Sequence, residues 1–253
     1  MFIGALTWVF FHELGHLAQE HGYIRSTFGH AQPITCIEDC ESDGEQRYEE
    51  RVAAIFHAIE IAADVEAAYR CVSELIRHFL PDEVNDEHSL LEFRSNLHLV
   101  VCGISCMLYR FYGQRPVEPE AVPRGSHPTP IRRLEVCLPN IFEKLDAGGS
   151  GETFHGLSRL QLLDLCLGAA YSVGFYWFWR DNKQSGIPDN FMISGLSEDP
   201  HRMSYWSAIL DAWDEISPTI RKIRRFGSEL SILTFTDAFR SRILGNPLVP
   251  PKD

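Results

Sequence analysis

The stretch "RYEERVAAIFHAIEIAADVEAAYRCVSELIRHFL", residues 47–80, decides the class of fold. Its apolar positions fall at 52, 55, 59, 62, 65, 69, 72, 75, 76 and 79. Steps of three and four line them up along one side of a helix, whereas a half-buried strand would alternate every second residue. The run therefore predicts one long helix. Inside it, "AIEIAADV", residues 58–65, carries two carboxylates, Glu60 and Asp64, one turn apart and with no basic residue nearby. Burying two such groups without a partner is costly, and a metal ion and a histidine would supply that partner.

Working outward, the helical period recurs. Upstream, "TWVFFHELGHLAQEHG", residues 7–22, belongs to a first helix expected from about Phe2 to His21, with Gly22 as its stop. A polar segment, residues 23–46, follows and is long enough to face a substrate. Downstream, Pro81 and the acidic residues after it break the pattern before a third helix, expected from Ser89 to Tyr112. "GQRPVEPEAVPRGSHPTP", residues 113–130, holds five prolines and reads as a loop. A fourth helix, Ile131 to Leu145, ends at "DAGGSGE", residues 146–152, the best candidate boundary. Beyond it come a long apolar helix over 154–180 and shorter ones over 200–214, 218–225 and 230–243; only "FMISGL", residues 191–196, suggests a short strand. The expected fold class is mainly α, with regions 1–146 and 152–253 either separate or packed into one domain.

Composition narrows the function classes. Apolar residues make up 45% of the 253 and charged residues 23%, values of an ordinary globular protein. Acidic residues outnumber basic ones by 35 to 23, a net charge of -12, which disfavours nucleic acid as a partner. The one dense basic run, "IRKIRRFG" at 220–227, reads as a solvated helix face. Seven cysteines without framework spacing point to free thiols and a cytoplasmic, reducing location, and "CIEDC" at 36–40 is too weak a spacing to argue a second metal. The apolar runs from Leu97 and from Leu162 are short for a bilayer and carry His98, Arg110, Asp164 and Arg180 in or beside them. They read as central helices of a soluble core, and no membrane association is expected.

The chemistry sits in HELGH, residues 12–16. Positions four apart share a helix face, so His12 and His16 can direct two imidazoles at one ion with Glu13 beside them. A zinc that keeps a water needs a third protein ligand from another element, and Glu60 stands on a helix that can supply it. Asp64, one turn on, can then accept the outer N–H of a metal-bound imidazole. Gly15 costs about 1 kcal/mol against alanine inside a helix, a cost that makes sense if another segment or a substrate approaches that face.

HELGH followed by Glu60-x-x-Ala63-Asp64, and then by "SHPTPIRR" at 126–133, resembles the gluzincin metallopeptidases, especially the prenyl-protein and heat-shock endopeptidase group. The resemblance covers roughly residues 7–135. It implies a zincin-like helical core, with the C-terminal helices as an addition, and a zinc endopeptidase acting on protein or peptide substrates. By the same resemblance His12, His16 and Glu60 are the zinc ligands, Glu13 the general base and Asp64 the partner of a ligand imidazole. His127, or Arg132 and Arg133, would face the substrate and its developing oxyanion. The pattern is broken in one respect: that group places strands, one of them a substrate-binding edge strand, before the HExxH helix, and only Met1 to about Thr7 stand there. A start within a longer chain, a substrate held by loops, and zinc binding without cleavage all fit the departure. A regulatory or interaction protein with a non-catalytic zinc site is accordingly the alternative function; Trp206 and Trp213 on an amphipathic helix suit an interface, although core packing is their expected use.

Overall fold

The computed structural model describes residues 1–28, 48–79, 87–113, 120–148, 157–181 and 200–245. Among these lie eight α-helices and no strand: α1 (Phe2–Ala18), α2 (His21–Phe28), α3 (Glu50–Phe79), α4 (Glu87–Tyr112), α5 (Pro130–Gly148), α6 (Arg159–Asp181), α7 (Pro200–Ile223) and α8 (Asp237–Leu244), with a 3-10 turn at Glu229–Ser231. The mainly α expectation holds. Most of the 23–46 segment, the Cys36 and Cys40 pair, the boundary glycines after Gly148 and the "FMISGL" stretch lie outside the described residues.

Helix α3 is more enclosed than its period implies, because every residue from Val52 to Ala68 is buried, on all sides of the helix. Alanines at 53, 54, 58, 62, 63, 67 and 68 give it a slim profile that lets neighbouring chain approach from every direction. Fully buried Ile55, Ile59 and Ile61 each contribute about 1.5–3 kcal/mol relative to exposure.

The first helix departs from expectation. It ends at Ala18, Glu20 adopts the left-handed conformation with φ 54°, and α2 restarts at His21 with Gly22 inside it. A non-glycine residue in that region costs about 1–2 kcal/mol, so the corner needs support. Arg225 supplies it twice, donating its backbone N–H to Ala18 O at 2.9 Å and pairing its side chain with Glu20. The second departure is α7, one helix where two are expected. Pro218 lies within it, and the inward row Tyr205, Trp206, Ile209, Leu210, Trp213, Ile216 and Ile220 outweighs the hydrogen bond that proline removes.

The chain forms two compact units. The first comprises Met1–Gly15, Ala63–Arg115 and Thr129–Met192, the second His16–Ala62, Pro116–Pro128 and Ile193–Asp253. In the first unit α1 meets α4 through glycines: a Cβ on Gly103 would fall 2.8 Å from Ala5 N, and one on Gly4 3.2 Å from Val100 Cα. Helices α4, α5 and α6 pack on one another, with Tyr109 of α4 stacked on Trp177 of α6, and Phe79 at the end of α3 stands edge-on to Phe93 of α4. Helix α6 buries Leu162, Cys166, Ala169, Ala170 and Val173 but leaves Leu160, Tyr171, Phe175, Tyr176 and Trp179 exposed. Over Arg159–Arg180 it is long and apolar enough to cross a membrane, a property that core helices of soluble proteins share. In the second unit α2 and α8 pack on α7. Trp206 and Trp213 are core residues of that unit, the use expected of them.

Candidate metal centre

Helix α1 presents His12 and His16 one turn apart, and α3 presents Glu60 and Asp64 one turn apart. The two helices touch at Gly15, where an added Cβ would stand 3.2 Å from Ala63 Cα and 3.3 Å from Glu66 Cβ. The approaching segment expected at Gly15 is therefore α3 itself. The ligand atoms of His12, His16 and Glu60 all lie within 4.8 Å of one another, a group that could hold a metal ion.

Within the first unit, His12 is buried and stacked on Trp8 with ring centroids 5.1 Å apart. Its Nδ1 lies 2.9 Å from Asp64 Oδ1, so its Nε2 is the nitrogen left for a metal. Asp64 also accepts two hydrogen bonds from Arg133, Nε to Oδ2 and Nη2 to Oδ1, each at 2.6 Å. The Arg133 guanidinium stands 5.6 Å over the Trp8 ring. Burial by itself would push the Asp64 carboxyl up, but Arg133 and His12 more than offset it and hold its pKa below the usual 3.8. Asp64 stays ionised and fixes the His12 tautomer.

Within the second unit, Glu60 is buried and its Oε1 collects three neighbours: Arg25 Nη2 at 3.1 Å, His16 Nε2 at 3.4 Å and His127 Nε2 at 3.7 Å. Two donors on one tetrahedral zinc, each about 2.05 Å from it, stand about 3.3 Å apart, so the His16 to Glu60 spacing is that of two ligands sharing an ion. Arg25 also lies 5.1 Å over the Phe56 ring. His16 Nδ1 faces His21 Nδ1 at 2.8 Å. His127 Nδ1 meets Ser126 Oγ at 2.8 Å, which leaves its Nε2 toward Glu60. The loop that carries His127 is tied to α3 and α7 through His57, whose Nε2–H donates to Arg124 O at 3.0 Å while its Nδ1 accepts from the Tyr205 hydroxyl at 3.0 Å. The carbonyl can only accept, so this tautomer follows from the geometry.

Glu13 is exposed, on the same helix as the two histidines. Arg133 is held by Asp64, and Arg132 pairs with Glu135 at 3.0 Å, so both of these arginines have structural partners inside the first unit. Sequence reasoning singled out neither Trp8, His21 nor Arg25. Only Arg25 carried a usable signal: it is a cation in reach of a carboxylate helix that lacked one. Among the described residues, Cys71, Cys102, Cys106, Cys137 and Cys166 are free thiols outside the group formed by His12, His16 and Glu60. Burial pushes Cys71 and Cys166 up to about 12, which keeps them as inert thiols.

No protein-family model, curated protein or solved structure matches this chain.

Proposed function

We propose that the chain is a zinc-dependent endopeptidase of the gluzincin kind. The observation that carries the reading is the convergence of two imidazoles and one carboxylate from α1 and α3 within 4.8 Å, with Asp64 set on the outer nitrogen of His12. Two neutral imidazoles and a carboxylate are the donor set zinc takes when a coordination position stays open for water, and the His16 to Glu60 spacing of 3.4 Å suits it. His12, His16 and Glu60 would hold the ion. Zinc supplies a Lewis acid that polarises the scissile carbonyl and makes a water acidic.

Glu13, next to His12 in HELGH, would be the general base that takes the proton of that water and passes it to the leaving amine. His127, its Nδ1 occupied by Ser126, has Nε2 turned to the site and can donate to the developing oxyanion. The test has two parts. Elemental analysis of the purified chain should find about one zinc, reduced in His12→Ala and Glu60→Gln. A peptide library should be cut by the wild type and left intact by Glu13→Gln, with its zinc retained and its rate down at least about 100-fold. Equal cleavage by Glu13→Gln would defeat the peptidase reading and leave metal binding standing.

The exposed aromatics of α6 favour a second reading, an interaction protein with a structural metal group. It requires that zinc be present, that no peptide be cut, and that substitution of Phe175 and Trp179 by serine abolish capture of a partner while zinc content stays the same.

A further inference from the structure

His16 and Glu60 each have a neighbour on α2. His21 Nδ1 stands 2.8 Å from His16 Nδ1, and Arg25 Nη2 donates to Glu60 Oε1 at 3.1 Å. His21 and Arg25 are four residues apart, so they share one face of α2, and both are buried. The corner at Glu20 makes this arrangement possible. Had α1 continued through His21, that residue would lie roughly 140° around the helix from His16, at about 100° per residue, and could not face it. The left-handed Glu20, braced by Arg225, turns the chain back so that its next helix returns to the ligands of the one before.

Two proton arrangements satisfy the His16 to His21 contact. In one, His21 Nδ1–H donates to His16 Nδ1, and the neutral His16 then carries its proton on Nε2, the nitrogen that faces Glu60. In the other, His16 Nδ1–H donates to His21 Nδ1, and His16 Nε2 presents a lone pair. Only the second is compatible with a metal on Nε2. An outer acceptor of this kind sets the tautomer and ring orientation of a ligand imidazole, as Asp64 does for His12.

We infer that His21 is a positioning residue of the metal centre: by accepting the Nδ1 proton of His16, it holds that ring in the tautomer and orientation that aim Nε2 at the ion. The inference rests on the metal-binding reading of His12, His16 and Glu60 and is independent of peptide cleavage.

The experiment is zinc affinity of the full chain, measured by competition with a chromophoric chelator, for wild type, His21→Phe and His21→Gln. Phenylalanine keeps the ring volume and removes the acceptor, whereas glutamine keeps an acceptor oxygen. His21→Phe should bind zinc about 10–100-fold more weakly, and His21→Gln should recover most of that loss, with all three melting alike without metal. Unchanged affinity in His21→Phe would overturn the inference and leave the metal site intact, as would a His21→Gln as weak as His21→Phe at equal metal-free stability. If His21→Phe does not fold, the imidazole 15N resonances of the zinc-loaded wild type decide: a proton on His16 Nδ1 supports the inference and a bare Nδ1 overturns it. A wild type that binds no zinc overturns the metal reading first and this inference with it.

Discussion

His12 and His16 are one helical turn apart on α1, yet their surroundings differ in kind. His12 is enclosed, stacked on Trp8, and its Asp64 partner is gripped by both arms of Arg133. His16 keeps a fifth of its side chain in solvent, and its neighbours are a carboxylate shared with Arg25 and His127 and a second imidazole. The His12 end is built as scaffold, with a fixed charge locking a fixed tautomer. At the His16 end several polar groups converge on one carboxylate oxygen instead.

The sharpest way to break this contrast is to unlock the scaffold end. Arg133→Met leaves a fully buried carboxylate with His12 as its remaining named partner, and removing one side of such a pair typically costs about 3–5 kcal/mol. Denaturant unfolding in the presence of a chelator should show that loss at pH 7. Because the folded pKa of Asp64 is depressed, its contribution is complete above the usual 3.8 and is lost as pH falls through the lower folded value. In Arg133→Met burial is no longer offset by the guanidinium, so the variant's carboxyl takes up its proton at higher pH than in the wild type, and the gap between the two should shrink steadily as the pH is lowered from neutral. A gap that widens in acid would mean that the pair is not what stabilises this end.

A smaller effect separates glycines that permit a close approach from those that do not. Gly103→Ala adds a Cβ 2.8 Å from Ala5 N, backbone that cannot move aside cheaply, and should cost about 1–3 kcal/mol despite alanine's better helix propensity. Gly22→Ala meets nothing within 4 Å inside α2 and should gain about 0.4–1 kcal/mol. Thermal melting of both variants checks the pair, and equal signs would refute the packing argument.

The residues that make the metal group were legible in the sequence wherever one helix carried the relation. His12 with His16, and Glu60 with Asp64, are spacings of four. The period of residues 47–80 likewise gave α3, though not its burial on every side, which depends on what packs against its alanines. What stayed hidden was set by distant chain. Gly22 looked like the stop of α1, but the corner formed at Glu20, because Arg225, more than two hundred positions away, supports a conformation that Glu20 would not favour by itself. His21 and Arg25 reach the site only through that corner, so no local pattern announces them. The break expected between 214 and 218 does not form, because the buried row that carries α7 through Pro218 is set by what packs against it.

The smallest expected effect lies at the α7 and α8 junction in the second unit. Arg240 forks onto Asp214 with Nη1 to Oδ2 at 2.7 Å and Nη2 to Oδ1 at 2.6 Å, geometry as good as that of Arg133 on Asp64. The setting is different, since about half of the Asp214 side chain and nearly a third of that of Arg240 remain in solvent. Water and salt therefore compete for both charges, and exposed pairs contribute about 0.2–1 kcal/mol. Arg240→Ala should lower stability by no more than that, and by less again in 1 M salt, where the Debye length falls to about 3 Å. The same fork is thus expected to matter several-fold more at Asp64 than at Asp214, and unfolding curves for Arg133→Met and Arg240→Ala side by side measure the ratio. Equal losses would show that fork geometry rather than burial sets the strength, and the distinction between the two ends of the metal group would lose its physical basis.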